Sequence, residues 1–203
     1  MPTSSNTNLL FATPVILDRV EQPDLDVALE QAILARRNGD GSSTGLHEGS
    51  WQSDNGFLGW GGDAASRLLA HVLEVANAHT IVKGDRPDAD YEWSALGWAN
   101  VNEPGAGSPS RLNPESFWSA IYCVRVDPGT GGELALLDPR SPAMEMSAPH
   151  LWFANAGIQR EASIAVPAGT LVLFPSWLRH AVTPWQGEGL RIWVGMNLSV
   201  KMS

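Results

Sequence analysis

Two kinds of hydrophobic spacing divide the chain near residue 85. Ahead of it, "PDLDVALEQAILARRNG" sets Leu25, Ala28, Leu29, Ala32 and Ile33 three and four residues apart, with Pro23 and Asp24 at the front and Asn38-Gly39 as a stop. That spacing places them on one face of an α-helix. "DAASRLLAHVLEVANAHTIV" repeats the pattern with Leu68, Leu69, Val72, Val75 and Ala76, behind Asp63 as the expected N-cap. The stretch between, "NGDGSSTGLHEGSWQSDNGFLGWGG", is polar, Gly-rich and without a period, and is expected to be a plain connection.

Beyond residue 85 the pattern alternates or runs apolar in short pieces bounded by Gly, Pro and Asp. It predicts strands at 92–102, 117–126, 133–137, 162–166, 170–174, 179–184 and 189–199. Short strands at this spacing form a sandwich or barrel, with the two helices packed outside it. One domain over 1–203 follows, with an N-terminal helical layer at 8–85 and a β core at 86–199. The connection at 141–161, with Trp152 and Phe153, is long for a compact domain and has the size of a lid or binding loop.

Composition narrows the function. A formal charge of -9 opposes phosphate attraction, so no nucleic-acid partner is expected. No run reaches the roughly 20 apolar residues of a membrane-spanning helix, and the start has an apolar patch without a basic segment before it. The expectation is a cytoplasmic protein with no membrane attachment. The single cysteine, Cys123, rules out an internal disulfide, and inside a strand it reads as a small buried apolar residue. Nine tryptophans suit the lining of a concave site as well as a core.

Candidate chemistry begins with "FPSWLRH", whose histidine, His180, closes an apolar strand. In "GLRIWVGMNLS" the alternation puts Arg191, Trp193 and Asn197 on the face opposite Leu190, Ile192, Val194, Met196 and Leu198. If the two strands form a hairpin through a four-residue turn at 186–189, Arg191 pairs with Pro184 and shares a face with His180, roughly 13 Å away at about 3.3 Å per residue. A small dicarboxylate fits such a gap, gripped by the guanidinium at one end and a metal at the other. On these residues alone, a lone histidine at a strand end such as His180 is more often a hydrogen-bonded structural or exposed residue than a ligand. His47, His71, His79 and His150 read as structural or exposed. Trp98, Asn100 and Asn102 alternate on one strand face, where the amides either bind a ligand or tie neighbouring strands. Asp138 and Arg140 read as a local ion pair at a strand end.

From Leu10 to Ser199 the chain resembles a bacterial family of iron(II)/2-oxoglutarate-dependent dioxygenases. The resemblance lies in "FATPVIL", "GSWQS", "GWANVNEPG", "NPESFWSAIYCVRVDPGTGG", "LLDPR", "PAGTLVLFPSWLRHAVTP" and "LRIWVGMNLS". It implies a double-stranded β-helix (jelly roll, cupin-like), mainly β with two N-terminal α-helices outside, and Fe(II) and 2-oxoglutarate as cofactors. By the same resemblance His180 is the distal iron ligand, Arg191 binds the far carboxylate of 2-oxoglutarate, and Tyr122 reaches the cosubstrate. Asn100 and Asn102 are candidate cofactor-binding residues beside them. The family's first two ligands correspond to Arg111 and Asn113 in "SPSRLNPESF", with Glu115 the nearest acid. An arginine has no lone pair for a metal and an amide is a weak ligand.

Three functions stay open. One is an oxygenase hydroxylating an unknown substrate. Another is a metal-independent relative, a pseudoenzyme, that binds a small acid or a protein partner, with Arg111 either in the metal's place or out in solvent. The last is a different metal enzyme in which His150 or Glu145 joins His180. A homodimer through the 141–161 loop is also open.

Overall fold

The computed structural model describes residues 10–40, 49–83, 91–143, 146, 150–151 and 160–202. In chain order its elements are β1 (Ile16–Arg19), α1 (Pro23–Asp40), β2 (Ser50–Gln52), α2 (Phe57–Trp60), α3 (Gly62–Ala78), β3 (Tyr91–Asn102), β4 (Ser108–Arg111), β5 (Trp118–Val126), β6 (Gly129–Gly131), β7 (Leu134–Leu137), β8 (Glu161–Ile164), β9 (Thr170–Pro175), β10 (Arg179–Val182), β11 (Trp185–Gly187) and β12 (Arg191–Met202). A six-stranded sheet in the order β1-β9-β5-β12-β3-β2 faces a four-stranded sheet, β4-β10-β7-β8, and β11 pairs with β6 in a short ribbon. All these ladders are antiparallel. The fold is a double-stranded β-helix with its helices outside, as the residue pattern and the resemblance imply.

Each face of the larger sheet buries a different set of side chains. Toward the helices lie Ala99 and Val101 of β3, Trp118, Ala120 and Tyr122 of β5, and Ile192, Val194, Met196 and Leu198 of β12. They pack on Leu25, Leu29 and Ile33 of α1 and Leu68, Val72 and Ala76 of α3, the stripes expected from the helical spacing. Toward the second sheet lie Ile121, Cys123, Val172, Phe174 and Trp193, against Leu134, Leu136 and Val182. Arg191 and Trp193 are therefore held between the sheets by the same alternation that sends Ile192 and Val194 to the helices.

Several expectations are corrected. The Gly-rich connection contains β2 and α2, and β1 and β2 are edge strands of the large sheet, so the segment before residue 85 is more than a helical layer. Three-residue and four-residue strands such as β2, β4, β6 and β11 are too short to show a period. Asp63 lies inside the first turn of α3, whose N-cap is Gly61. Trp152, Phe153, His47 and Glu145 lie outside the described residues.

The hairpin between β10 and β12 does not form, since β10 belongs to the small sheet and β12 to the large one. Pro184 has no N–H to continue the ladder beyond Val182. Trp185 is buried and its indole donates to the Gly189 carbonyl (3.0 Å), which curls 185–189 on itself. The Asp127 carboxylate then accepts the Leu190 N–H (2.8 Å) and draws the chain onto β5. His180 and Arg191 consequently stand on facing sheets rather than on neighbouring strands.

Candidate functional site

The inner surface of β3 and β12 is rich in hydrogen-bond donors that nothing among the described residues satisfies. The register sets Arg191 beside Asn102, Trp193 beside Asn100 and Gly195 beside Trp98. Among the described residues the buried side-chain nitrogens without a partner are Trp98 Nε1, Asn100 Nδ2, Asn102 Nδ2, Arg191 Nη1 and Trp193 Nε1, all on that surface. Every one is an N–H donor. An orphaned buried donor costs about 1–3 kcal/mol, so a native fold rarely carries one without reason. Five together make a surface suited to an oxyanion.

Arg191 is the centre of it. It is 2% exposed, and no carboxylate among the described residues pairs with it. Burial depresses its pKa, which for an arginine still leaves the cation. Its stem passes over Gly132, where a Cβ would stand 2.8 Å from Arg191 Cδ; the backbone there has φ +66°, so glycine is required twice over. Across the strand pair, the Trp98 indole covers Gly195, where an added Cβ would come within 2.6 Å of it.

On the facing sheet, β10 places His180 directly opposite Arg111 of β4. His180 is 4% exposed, packed edge-on against Phe174 at 5.0 Å between ring centres. Its Nδ1 lies 3.1 Å from the Leu178 carbonyl, so the N–H is on Nδ1 and Nε2 keeps its lone pair. Burial, and secondarily the Arg111 charge, push its pKa down, while the Leu178 carbonyl opposes them; the ring is neutral at neutral pH. The Arg111 guanidinium sits 5.7 Å from the Trp98 ring centre, a cation–π contact that brings it to the donor surface rather than out into solvent.

Asn113 is committed elsewhere. Its Nδ2 donates to Ser119 Oγ and Asn197 Oδ1, both at 3.0 Å, and Ser119 Oγ is 2.9 Å from Ser176 Oγ. This network ties the β4–β5 connection to β5 and β12. Glu115 is exposed, with its carbonyl accepting from Ser199 Oγ. His71 binds Asp18 at 2.6 Å, while His79 and His150 are exposed. Asp138 and Arg140 form the expected local ion pair at 2.6 Å.

Tyr122 is a correction. It lies on the helix side of β5, and its hydroxyl donates to Asp26 Oδ1 of α1 at 2.5 Å, so it cannot reach a ligand between the sheets. Its neighbour Cys123 occupies the inner face instead, with burial pushing the thiol up to about 11. The Tyr122–Asp26 pair ties α1 to the sheet at an electrostatic cost: burial raises the Asp26 pKa, and the bond from Tyr122 only partly offsets it. A carboxyl raised above its unfolded value contributes stability present below that value and lost as pH rises through the folded one. Asp26→Asn keeps an acceptor for Tyr122 and removes the charge. Its stability advantage over wild type in urea is expected to grow as pH climbs from below 3.8 and then to level off; a pH-independent difference would refute the burial cost.

The two sheets of a double-stranded β-helix thus enclose a surface lined by unpaired N–H donors with one buried guanidinium among them. Residues 97–197 match a family model described as "Putative 2OG-Fe(II) oxygenase", and the chain belongs to this family. Solved structures agree in fold. A Pseudomonas putida prolyl-4-hydroxylase is 20% identical with a TM-score of 0.61, the match covering 94% of each chain. HygX from Streptomyces hygroscopicus, with nickel and 2-oxoglutarate bound, is 10% identical with a TM-score of 0.63, covering 92% of this chain and 82% of that one. A prolyl hydroxylase from Trichoplax adhaerens, in complex with a hypoxia inducible factor peptide, is 13% identical with a TM-score of 0.61, covering 91% and 83%. No curated protein sequence matches the chain.

The family implies Fe(II) and 2-oxoglutarate, and the residues present suit them unequally. The orphaned donors around Arg191 fit a carboxylate. Iron fits poorly: no group of three or more His, Cys, Asp or Glu among the described residues is placed to hold a metal. His180 has a cation across the strand where a second ligand would be needed, and the Asn113 amide is engaged. No helix among the described residues is long and apolar enough to cross a membrane.

Proposed function

We propose that this member of the 2-oxoglutarate oxygenase family binds a small dicarboxylate of the 2-oxoglutarate class between its sheets, anchored on Arg191, and does so without a family-type iron centre. The observation that carries the reading is the set of five unsatisfied buried N–H donors on β3 and β12. A carboxylate supplies several lone pairs in one group, and a charged acceptor on a buried guanidinium forms a strong, paired hydrogen bond. Asn100, Asn102 and Trp193 extend the donor set along the strand, so the ligand's oxygens meet donors over several residues rather than at one point.

The iron-dependent reading has one observation in its favour, the bare Nε2 of the neutral His180. A bound Fe(II) would supply oxygen activation for hydroxylation. That reading needs two further ligands beside His180, and the described residues hold no group of three or more His, Cys, Asp or Glu placed to bind a metal.

Calorimetric titration of 2-oxoglutarate into the protein in excess chelator separates the two. Saturable binding is expected, and Arg191→Gln should weaken it about tenfold to a hundredfold, the worth of a charge-assisted hydrogen bond. Absence of heat at millimolar ligand, or heat that appears only after Fe(II) is added together with succinate release, would sink the metal-independent reading.

A further inference from the structure

We infer that Arg111 is the second anion anchor of this site, a fixed side-chain cation standing beside His180 where a metal ion would otherwise hold the other end of the ligand. The inference rests on the acid-binding reading above and adds to it a residue and a ligand requirement: the preferred ligand has an anionic group at each end.

The placement of Arg111 has three independent supports. The ladder fixes it directly opposite His180. Its guanidinium lies against the Trp98 ring, whose own Nε1 is one of the orphaned donors. It forms no ion pair with any described carboxylate, unlike Arg125, which meets both Glu30 and Asp127 at 2.6 and 2.7 Å. The cation therefore meets an aromatic face, with no described carboxylate claiming it, and is available to a ligand. Packing on an aromatic face leaves the guanidinium edge, with its fork of N–H groups, free to meet a carboxylate.

Spacing along β12 gives the ligand its length. Arg191 and Gly195 are four residues apart, roughly 13 Å at about 3.3 Å per residue, and Trp98 covers Gly195. Arg191 is rooted at one end of this interval, and Arg111 lies against Trp98, which covers the other. The donors of Asn102, Asn100 and Trp193 line the interval between them. A chain of a few carbons with a carboxylate at each end matches two cations so arranged, whereas a monocarboxylate satisfies only one. His180, neutral and with Nε2 as an acceptor, adds no charge of its own at the Arg111 end.

The test compares glutarate with pentanoate, acids of equal carbon count and different charge, by calorimetry in excess chelator. Wild type should prefer glutarate by about tenfold to a hundredfold. Arg111→Met, which keeps an apolar stem on Trp98, should bring the two acids to within a few-fold of each other, chiefly by weakening glutarate. Arg111→Gln provides the same comparison with a polar neutral side chain should the Met variant not fold. Retention of the glutarate preference in either folded variant would overturn the inference, as would a preference that appears only after Ni(II) or Fe(II) is added. Failure of wild type to bind either acid strikes instead at the acid-binding reading, and removes the inference with it.

Discussion

Arg191→Met is expected to abolish acid binding and, in the absence of ligand, to make the protein more stable by about 1–3 kcal/mol. The two effects share one cause. Arg191 is 2% exposed, and among the described residues its Nη1 has no acceptor and no carboxylate neutralises it. Without a ligand the fold therefore carries an uncompensated charge between its sheets. Replacement of a buried charge by an apolar side chain of similar length is commonly neutral or stabilising. Methionine follows the same path over Gly132, because its flexible thioether fills the space of the arginine stem, and it meets the apolar set of Cys123, Val172 and Trp193. Urea unfolding of the variant and wild type, each without ligand, measures the gain. Adding saturating 2-oxoglutarate should raise the wild-type midpoint and leave the variant's unchanged. A variant that is less stable than ligand-free wild type would mean that Arg191 holds the sheets together, and that its orphaned Nη1 is not waiting for an anion.

The same residues mark how far periodicity alone reaches. On β12 one face is apolar and packs on helices, so alternation places Arg191, Trp193 and Asn197 together between the sheets. On β3 the same logic aligns Trp98, Asn100 and Asn102, and the structure adds that these two rows are neighbours in register. On β5 alternation carries no such signal, because Trp118 to Val124 is buried on both faces and nothing in "WSAIYCV" says which face meets the helices. Tyr122 was assignable to the ligand only by resemblance, and its partner, Asp26, lies 96 residues away in sequence. The hairpin expected at 184–191 fails for a related reason: alternation within a strand carries no information about which strand lies beside it. Pro184 was the one local signal that β10 ends early. Arg111 was visible as a departure in a pattern, but its position beside His180 and over Trp98 comes from the β4–β10 ladder, and β4 is too short to read from its residues.

That ladder carries the other large expected effect, on metal binding. Wild type should take up no stoichiometric Fe(II) or Ni(II), and the double variant Arg111→His/Asn113→Asp should take up one Ni(II) per chain. Arg111→His removes a cation that repels a metal and puts a second imidazole opposite His180, whose Nε2 is already free to coordinate. Asn113→Asp brings a carboxylate two residues farther along the same segment, completing a set of two imidazoles and one carboxylate. The second change has a cost that can be read from the network. Asn113 Nδ2 donates to both Ser119 Oγ and Asn197 Oδ1, and a carboxylate can donate to neither. Ser119 can turn its hydroxyl toward the new acceptor, and Asn197 can rotate its amide to present N–H, so the loss falls mainly on ordering. A decrease of about 1–3 kcal/mol in the metal-free double variant is expected, recovered when Ni(II) is present. His180→Ala added to the double variant should remove the uptake, which ties the metal to this site rather than to His71 or the exposed His79 and His150. Stoichiometric Ni(II) or Fe(II) binding by wild type, lost in His180→Ala, would reverse the conclusion. Arg111 would then have to swing off Trp98 to admit the ion, and the family's iron chemistry would return as the leading account of the site.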